Sequence, residues 1–169
     1  MMNIEELVDQ LKEKYGTGDP DSLARALGVH IYEREDFSRL LGMSARVEGR
    51  SCIFLNAGME SQERRIVLAH ELGHALLHEE EEGISGIVQF TLFNSNDRTE
   101  YEANVFAAHL LLDEKEIQDL AADGYDAPDI AKSLNVDINL LLIKLHEMQK
   151  KGRKMNLPET PRADFLRRS

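Results

Sequence analysis

The sequence predicts an α+β domain, mainly helical, with one small antiparallel sheet and a helical C-terminal element. Three observations predict it. Apolar residues recur at helical spacing along several stretches, three β-rich runs lie close together between residues 29 and 55, and residues 127–148 read as two helices around a turn.

Ile4, Leu7, Val8 and Leu11 set a helix at the N-terminus, and Gly16-Thr17-Gly18-Asp19-Pro20 ends it. Asp21 or Ser22 is the expected cap of a second helix over 23–27, which Gly28 stops. Val29-His30-Ile31-Tyr32, residues 40–47 and residues 51–55 read as strands, the last two joined by a hairpin turn at Glu48-Gly49-Arg50. A long helix over 61–78 carries Ile66, Ala69, Leu72, Gly73, Leu76 and Leu77 as its apolar stripe. Residues 79–98 read as a loop with a short strand at 86–90, followed by a helix over 99–112. The last two helices turn at Asn135-Val136-Asp137, and the segment after Gly152, with Pro158 and Pro161, is expected to be a loosely ordered tail.

The chain has 169 residues, 42% hydrophobic and 30% charged, which excludes a disordered class and fits one compact domain. No apolar run approaches the roughly 20 residues that span a bilayer, so no membrane role is expected. The charged N-terminal stretch lacks the apolar core of a secretory signal, and Cys52 is the one cysteine, so a cytoplasmic location is the simplest expectation. Cys52 lies in an apolar strand and reads as core. The net charge of −11 argues against broad electrostatic binding to nucleic acid or anionic lipid. The acidic run Glu79, Glu80, Glu81, Glu82 and the basic tail from Lys150 onward read as solvated surface.

His70-Glu71-Leu72-Gly73-His74 carries the chemistry. Two histidines four apart on a helix share a face and reach one ion. Glu71 projects about 100° away, so it does not chelate beside them but reaches the open side of the metal, where it acts as general base. A catalytic zinc needs a third protein ligand, and the helix over 99–112 offers Glu100 and Glu102. Glu100 falls within the apolar arc of Ala103, Ala107, Leu110 and Leu111, whereas Glu102 and His109 fall at its edge or outside. A carboxylate facing a core needs a partner, and a metal is one, so Glu100 is favoured and Glu102 is the alternative ligand. Asn104, one turn after Glu100, is placed to hydrogen-bond a ligating histidine. His78 either lines the cleft or caps its helix, the latter being favoured. His30 and His146 have no partner pattern, and Tyr101, His78, Tyr125 and His109 remain open as the group that stabilises an oxyanion.

Two segments, RRIVLAHELGHALLH at 64–78 and EYEANVFAAHLLL at 100–112, resemble the ImmA/IrrE family of metallopeptidases. The resemblance extends weakly to an N-terminal helix ending in Leu27-Gly28-Val29 and to the hairpin, over roughly residues 1–150. It implies a zincin-like fold with His70, His74 and an acidic residue of the second segment as ligands and Glu71 as catalyst. Glu100 also matches the more regular glutamate of family members. Leu112-Asp113 stands where many members have Met-Pro, which alters the following loop but no ligand. The resemblance further implies cleavage of a helix-turn-helix repressor, an anti-repressor role in phage, mobile-element or stress regulation.

A rival reading is a DNA-binding or protein-binding regulator whose zinc site is not catalytic. Residues 129–145 resemble a helix-turn-helix, yet the would-be recognition helix from Ile138 to Leu145 is mostly apolar and offers few groups to phosphates or base edges. No specific nucleic acid is therefore expected. The expected organisation is a zincin-like metallopeptidase domain at 1–115, a helical, helix-turn-helix-like element packed on it at 116–151, and a basic tail at 152–169. The expected function is zinc-dependent endopeptidase action on one or a few intracellular proteins, with a helix-turn-helix transcriptional repressor as the favoured substrate.

Overall fold

The architecture follows from a computed structural model describing residues 3–78 and 98–153. The expected strand at 86–90, the acidic run at 79–82 and the tail beyond 153 lie outside these residues. Helix α1 (Ile4–Tyr15) starts where the Asn3 side chain accepts from the Glu5 N–H and stops at Gly16, whose φ of 66° lies in the left-handed region. Helix α2 (Pro20–Ala26) is capped by Asp19, which accepts from the Ser22 N–H at 2.9 Å. The expected cap at Asp21 or Ser22 is thus corrected by two or three residues. Pro20 occupies the first turn, where its missing N–H costs nothing, so it opens this helix instead of merely breaking the previous one.

Strands β1 (His30–Arg34), β2 (Gly42–Val47) and β3 (Arg50–Asn56) form a sheet of order β1-β3-β2. β2 and β3 are the expected antiparallel hairpin, but β1 pairs parallel to β3, so the sheet is mixed and not purely antiparallel. The reason lies in the connection 35–41, which passes over the end of β3 to reach the far edge. Asn56 fastens it there, donating from Nδ2 to Phe37 O (3.1 Å) and Leu40 O (3.0 Å), while its backbone N–H donates to Leu41 O. Side-chain alternation is the same for either partner order, so the sequence alone could not distinguish them.

Helix α3 (Ser61–Leu77) lies against β2 and β3, with Ile53 and Leu55 buried beneath it. On its other side α4 (Arg98–Leu111) makes the most extensive contact between helices. α1 and α7 (Ile138–Lys150) cover α4 in turn. Helix α5 (Glu114–Ala122) was not expected: Asp113 caps it, accepting from the Glu116 N–H, and Ile117 is its buried anchor. The family departure at Leu112-Asp113 therefore supplies a helix cap. α6 (Ala127–Ser133) and α7 meet at Asn135, whose φ of 52° Asn tolerates better than most residues. Apolar side chains of α7, including Leu140, Leu141, Ile143 and Met148, join the same core cluster as α1, α3 and α4. Among the described residues no helix is long and apolar enough to cross a membrane.

One polar cluster is embedded in this frame. Lys144 of α7 is 4% exposed and places Nζ 2.7 Å from Nδ1 of His109, itself 5% exposed. Lys12 of α1 donates to the His109 carbonyl at 2.8 Å. The sequence put His109 at the edge of the apolar arc of α4; α7 covers that edge and buries it. Burial, reinforced by the Lys144 charge, lowers the His109 pKa to about 4, so the ring is neutral and accepts from the ammonium. Below the ordinary value of 6.5 the unfolded chain takes up a proton here that the folded chain refuses until about 4. Stability should therefore fall as pH drops through that window, by roughly 2–3 kcal/mol from this group. Urea unfolding at neutral pH and near pH 4.5 measures it, and the acid loss should shrink in His109→Gln.

Candidate metal centre

Helical spacing on α3 puts His70 and His74 one turn apart, 2% and 6% exposed, with their Nε2 atoms 3.1 Å from each other. From α4, Glu100 brings Oε2 to 3.3 Å from His70 Nε2 and Oε1 to 3.2 Å from His74 Nε2. The ligand atoms of these three residues all lie within 4.8 Å of one another. Hydrogen bonds from the two rings hold the Glu100 carboxyl well below the usual carboxylate range. Two imidazole nitrogens and a carboxylate converging on one point fit a divalent transition metal.

Gly73 makes this convergence possible. A Cβ on it would lie 3.0 Å from Ala103 Cα, 3.1 Å from Ala103 O and 3.1 Å from Phe106 Cβ. The backbones of α3 and α4 meet where any side chain would separate them, one turn of α4 beyond Glu100. The His70 ring is fixed by Asn104, whose Oδ1 is 2.8 Å from Nδ1. With Nδ1–H donating to that buried carbonyl oxygen, the neutral ring can offer the Nε2 lone pair to a metal ion in place of the Nε2–Glu100 contact.

Glu71 turns to the sheet side of α3. It is fully buried, and neither carboxylate oxygen has a hydrogen-bond partner. Burial raises its pKa, opposed in part by His70, His74 and a weak interaction with the Ser44 side chain of β2. Gly42 forms the wall beside it: a Cβ there would lie 2.7 Å from Val67 Cγ1, 3.1 Å from Glu71 Cγ and 3.3 Å from Glu71 Oε1. The sequence reading did not single out Gly42, although a glycine within a strand is a known sign of close approach.

Glu102 does not join the cluster. Its Oε2 is 3.1 Å from His78 Nε2 and its Oε1 accepts from Arg98 Nε at 2.6 Å. The His78 backbone N–H closes the last turn of α3 onto His74 O, but its ring faces His74, with Nδ1 atoms 3.2 Å apart, and does not cap the final carbonyls. The other candidates for an oxyanion group are elsewhere. Tyr101 donates to Glu147 of α7, His109 is engaged with Lys144, and Tyr125 is 44% exposed between α5 and α6.

The IrrE N-terminal-like domain, a peptidase family, matches residues 24–146, a span that holds His70, Glu71, His74 and Glu100. The chain belongs to this family. As an IrrE-like protein it shares 30% identity over 141 residues with the uncharacterized immunity region protein 2 of Bacillus phage phi105, covering 83% of this chain and 88% of the relative. A solved structure, a Mycobacterium tuberculosis transcriptional regulator, superposes with a TM-score of 0.60 at 15% identity. That likeness is one of fold. It covers 96% of this chain and 49% of the regulator, so this IrrE-like chain spans about half of that protein's length.

Gly73→Ala should test the helix crossing. Ala is the better helix former by about 1 kcal/mol, yet the added Cβ should force α3 and α4 apart at a net cost of about 1–3 kcal/mol. Denaturant unfolding of metal-stripped protein measures the loss, and metal retention should weaken with it because Glu100 moves with α4.

Proposed function

We propose that this chain is a zinc-dependent endopeptidase acting on one or a few proteins, with a helix-turn-helix transcriptional repressor as the substrate class. The observation that carries the proposal is Glu71: a fully buried carboxylate with no well-formed hydrogen bond, only a weak interaction with Ser44, beside two histidines and Glu100. Burying a carboxylate so poorly partnered costs several kcal/mol, an expense a purely structural helix has no reason to bear.

His70, His74 and Glu100 would hold the ion. Ligand distances of about 2.0–2.1 Å in a tetrahedral site imply ligand separations of roughly 3.3 Å. The separations of 3.1, 3.2 and 3.3 Å suit that geometry. When bound, zinc supplies a Lewis acid that polarises a peptide carbonyl and acidifies water. Glu71 accepts the proton of the attacking water on its carboxylate. The water oxygen bonds to the carbonyl carbon, the C–N bond breaks, and Glu71 returns the proton to the leaving amine. Its raised proton affinity suits both transfers, since a base that is too weak would not take the proton and one that is too strong would not return it. Asn104 keeps His70 in the tautomer that presents Nε2.

The repressor as substrate is drawn from the likeness to a phage immunity region protein. The rival reading, a regulator that binds DNA through α6 and α7, is disfavoured because Leu140, Leu141, Ile143, Leu145 and Met148 of α7 are buried in the core. A helix engaged in that way has little left to offer a groove.

Purified protein should contain about one zinc per chain by elemental analysis. His70→Ala and His74→Ala should abolish it, and Glu100→Ala should reduce it more than Glu102→Ala. Glu71→Gln should keep zinc and fold yet lose cleavage of a co-expressed helix-turn-helix repressor by at least about 10²-fold. Full cleavage by that variant would remove Glu71 as base.

A further inference from the structure

We propose that His78 and Glu102 form a hydrogen-bonded relay that orients His74 and so sets how tightly the site holds its metal. The proposal rests on the zinc reading above and concerns two positioning residues that do not touch the ion.

A histidine that gives Nε2 to a metal carries its proton on Nδ1, and that N–H needs an acceptor. Nδ1 of His74 lies 3.2 Å from Nδ1 of His78. For this to be a hydrogen bond, the Nδ1 of His78 must be the bare nitrogen, which puts that ring's proton on Nε2. Nε2 in turn lies 3.1 Å from Glu102 Oε2, a full acceptor. The other Glu102 oxygen is held by Arg98 at 2.6 Å. Each donor thus has one acceptor in sequence: His74 to His78, His78 to Glu102. Exposure falls inward along the line, with side-chain values of 67% at Arg98, 25% at Glu102, 10% at His78 and 5% at His74. Its inner links are shielded enough for geometry to matter. Arg98, in water, should contribute little.

The arrangement explains why α4 carries polar residues at 100, 102 and 104. Glu100 and Asn104 share one face, reaching the ligand cluster and His70 directly. Glu102 points off that face, and His78, one turn beyond His74 on α3, fills the distance between them.

Zinc affinity measured by competition with a colorimetric chelator tests the relay without any substrate. His78→Phe keeps the ring but removes both nitrogens, and should weaken zinc binding roughly 10–100-fold. Glu102→Leu should weaken it in the native background and add nothing further in the His78→Phe background, because a broken chain cannot be broken twice. Glu102→Gln keeps an acceptor and should recover most of the loss. Unfolding midpoints of the metal-free variants should stay near that of the native chain. Unchanged affinity in both single variants, or full additivity in the double variant, overturns the relay while leaving the zinc site standing. Should His78→Phe fail to fold, equal affinities of Glu102→Leu and Glu102→Gln overturn it alone. A native chain that holds no zinc overturns the site reading and the relay together.

Discussion

The close crossing of α3 and α4 is the constraint on which the rest of this fold depends. Helix axes ordinarily lie about 8–10 Å apart, set by the side chains between them. At Gly73 there is no side chain, and the opposing contact is the backbone of Ala103. His70 and His74 are carried side by side on α3, but Glu100 and Asn104 reach them only because α4 is allowed so near. The second half of the chain then serves as a brace. α7 packs along α4, Tyr101 donates to Glu147, and Lys12 with Lys144 holds the far end of α4 at His109. Ion pairs from Lys151 to Glu5 and from Arg153 to Glu114 tie the end of α7 to α1 and α5.

Among the described residues, two clusters of buried polar groups stand out, and they differ in kind. Around Lys144 and His109 each buried group has a partner, and Asn139 is held by the Asp137 carboxylate at its helix cap. Around His70 and His74 the groups point at one another, and Glu71 is left without a well-formed hydrogen bond. A self-satisfied cluster specifies packing; a convergent, incompletely satisfied one is arranged for something else to arrive. The apolar layers on either side, Ile53 and Leu55 on the sheet and Phe106 on α4, provide the burial that makes such an arrangement tolerable.

Much of this was legible in the sequence, and the misses share a cause. The period of α3 and the spacing of His70 and His74 are local, and local patterns read well. The inward face of α4 was legible because Glu100 keeps company with Ala103, Ala107 and Leu111. Strand order was not, since alternation of side chains does not record which neighbour a strand takes, and the hold of Asn56 on Phe37 and Leu40 spans distant residues. α5 was missed although Asp113 and Ile117 mark it, because the segment was read only as a departure from a family pattern. Glu102 with His78, and His109 with Lys144, are pairs across helices, and nothing in the period of one helix reports the residue opposite it.

Gly42 has a bearing on how related chains should be read. It stands on a strand well before the histidines, outside any five-letter signature, and yet the space it leaves is taken up by Val67 and Glu71 together. A homologue can retain His-Glu-Leu-Gly-His letter for letter and still have its glutamate crowded by an alanine or valine at this position. Sorting related chains by the signature alone would misplace such cases; a useful criterion would ask for the missing methyl group as well as for the five letters.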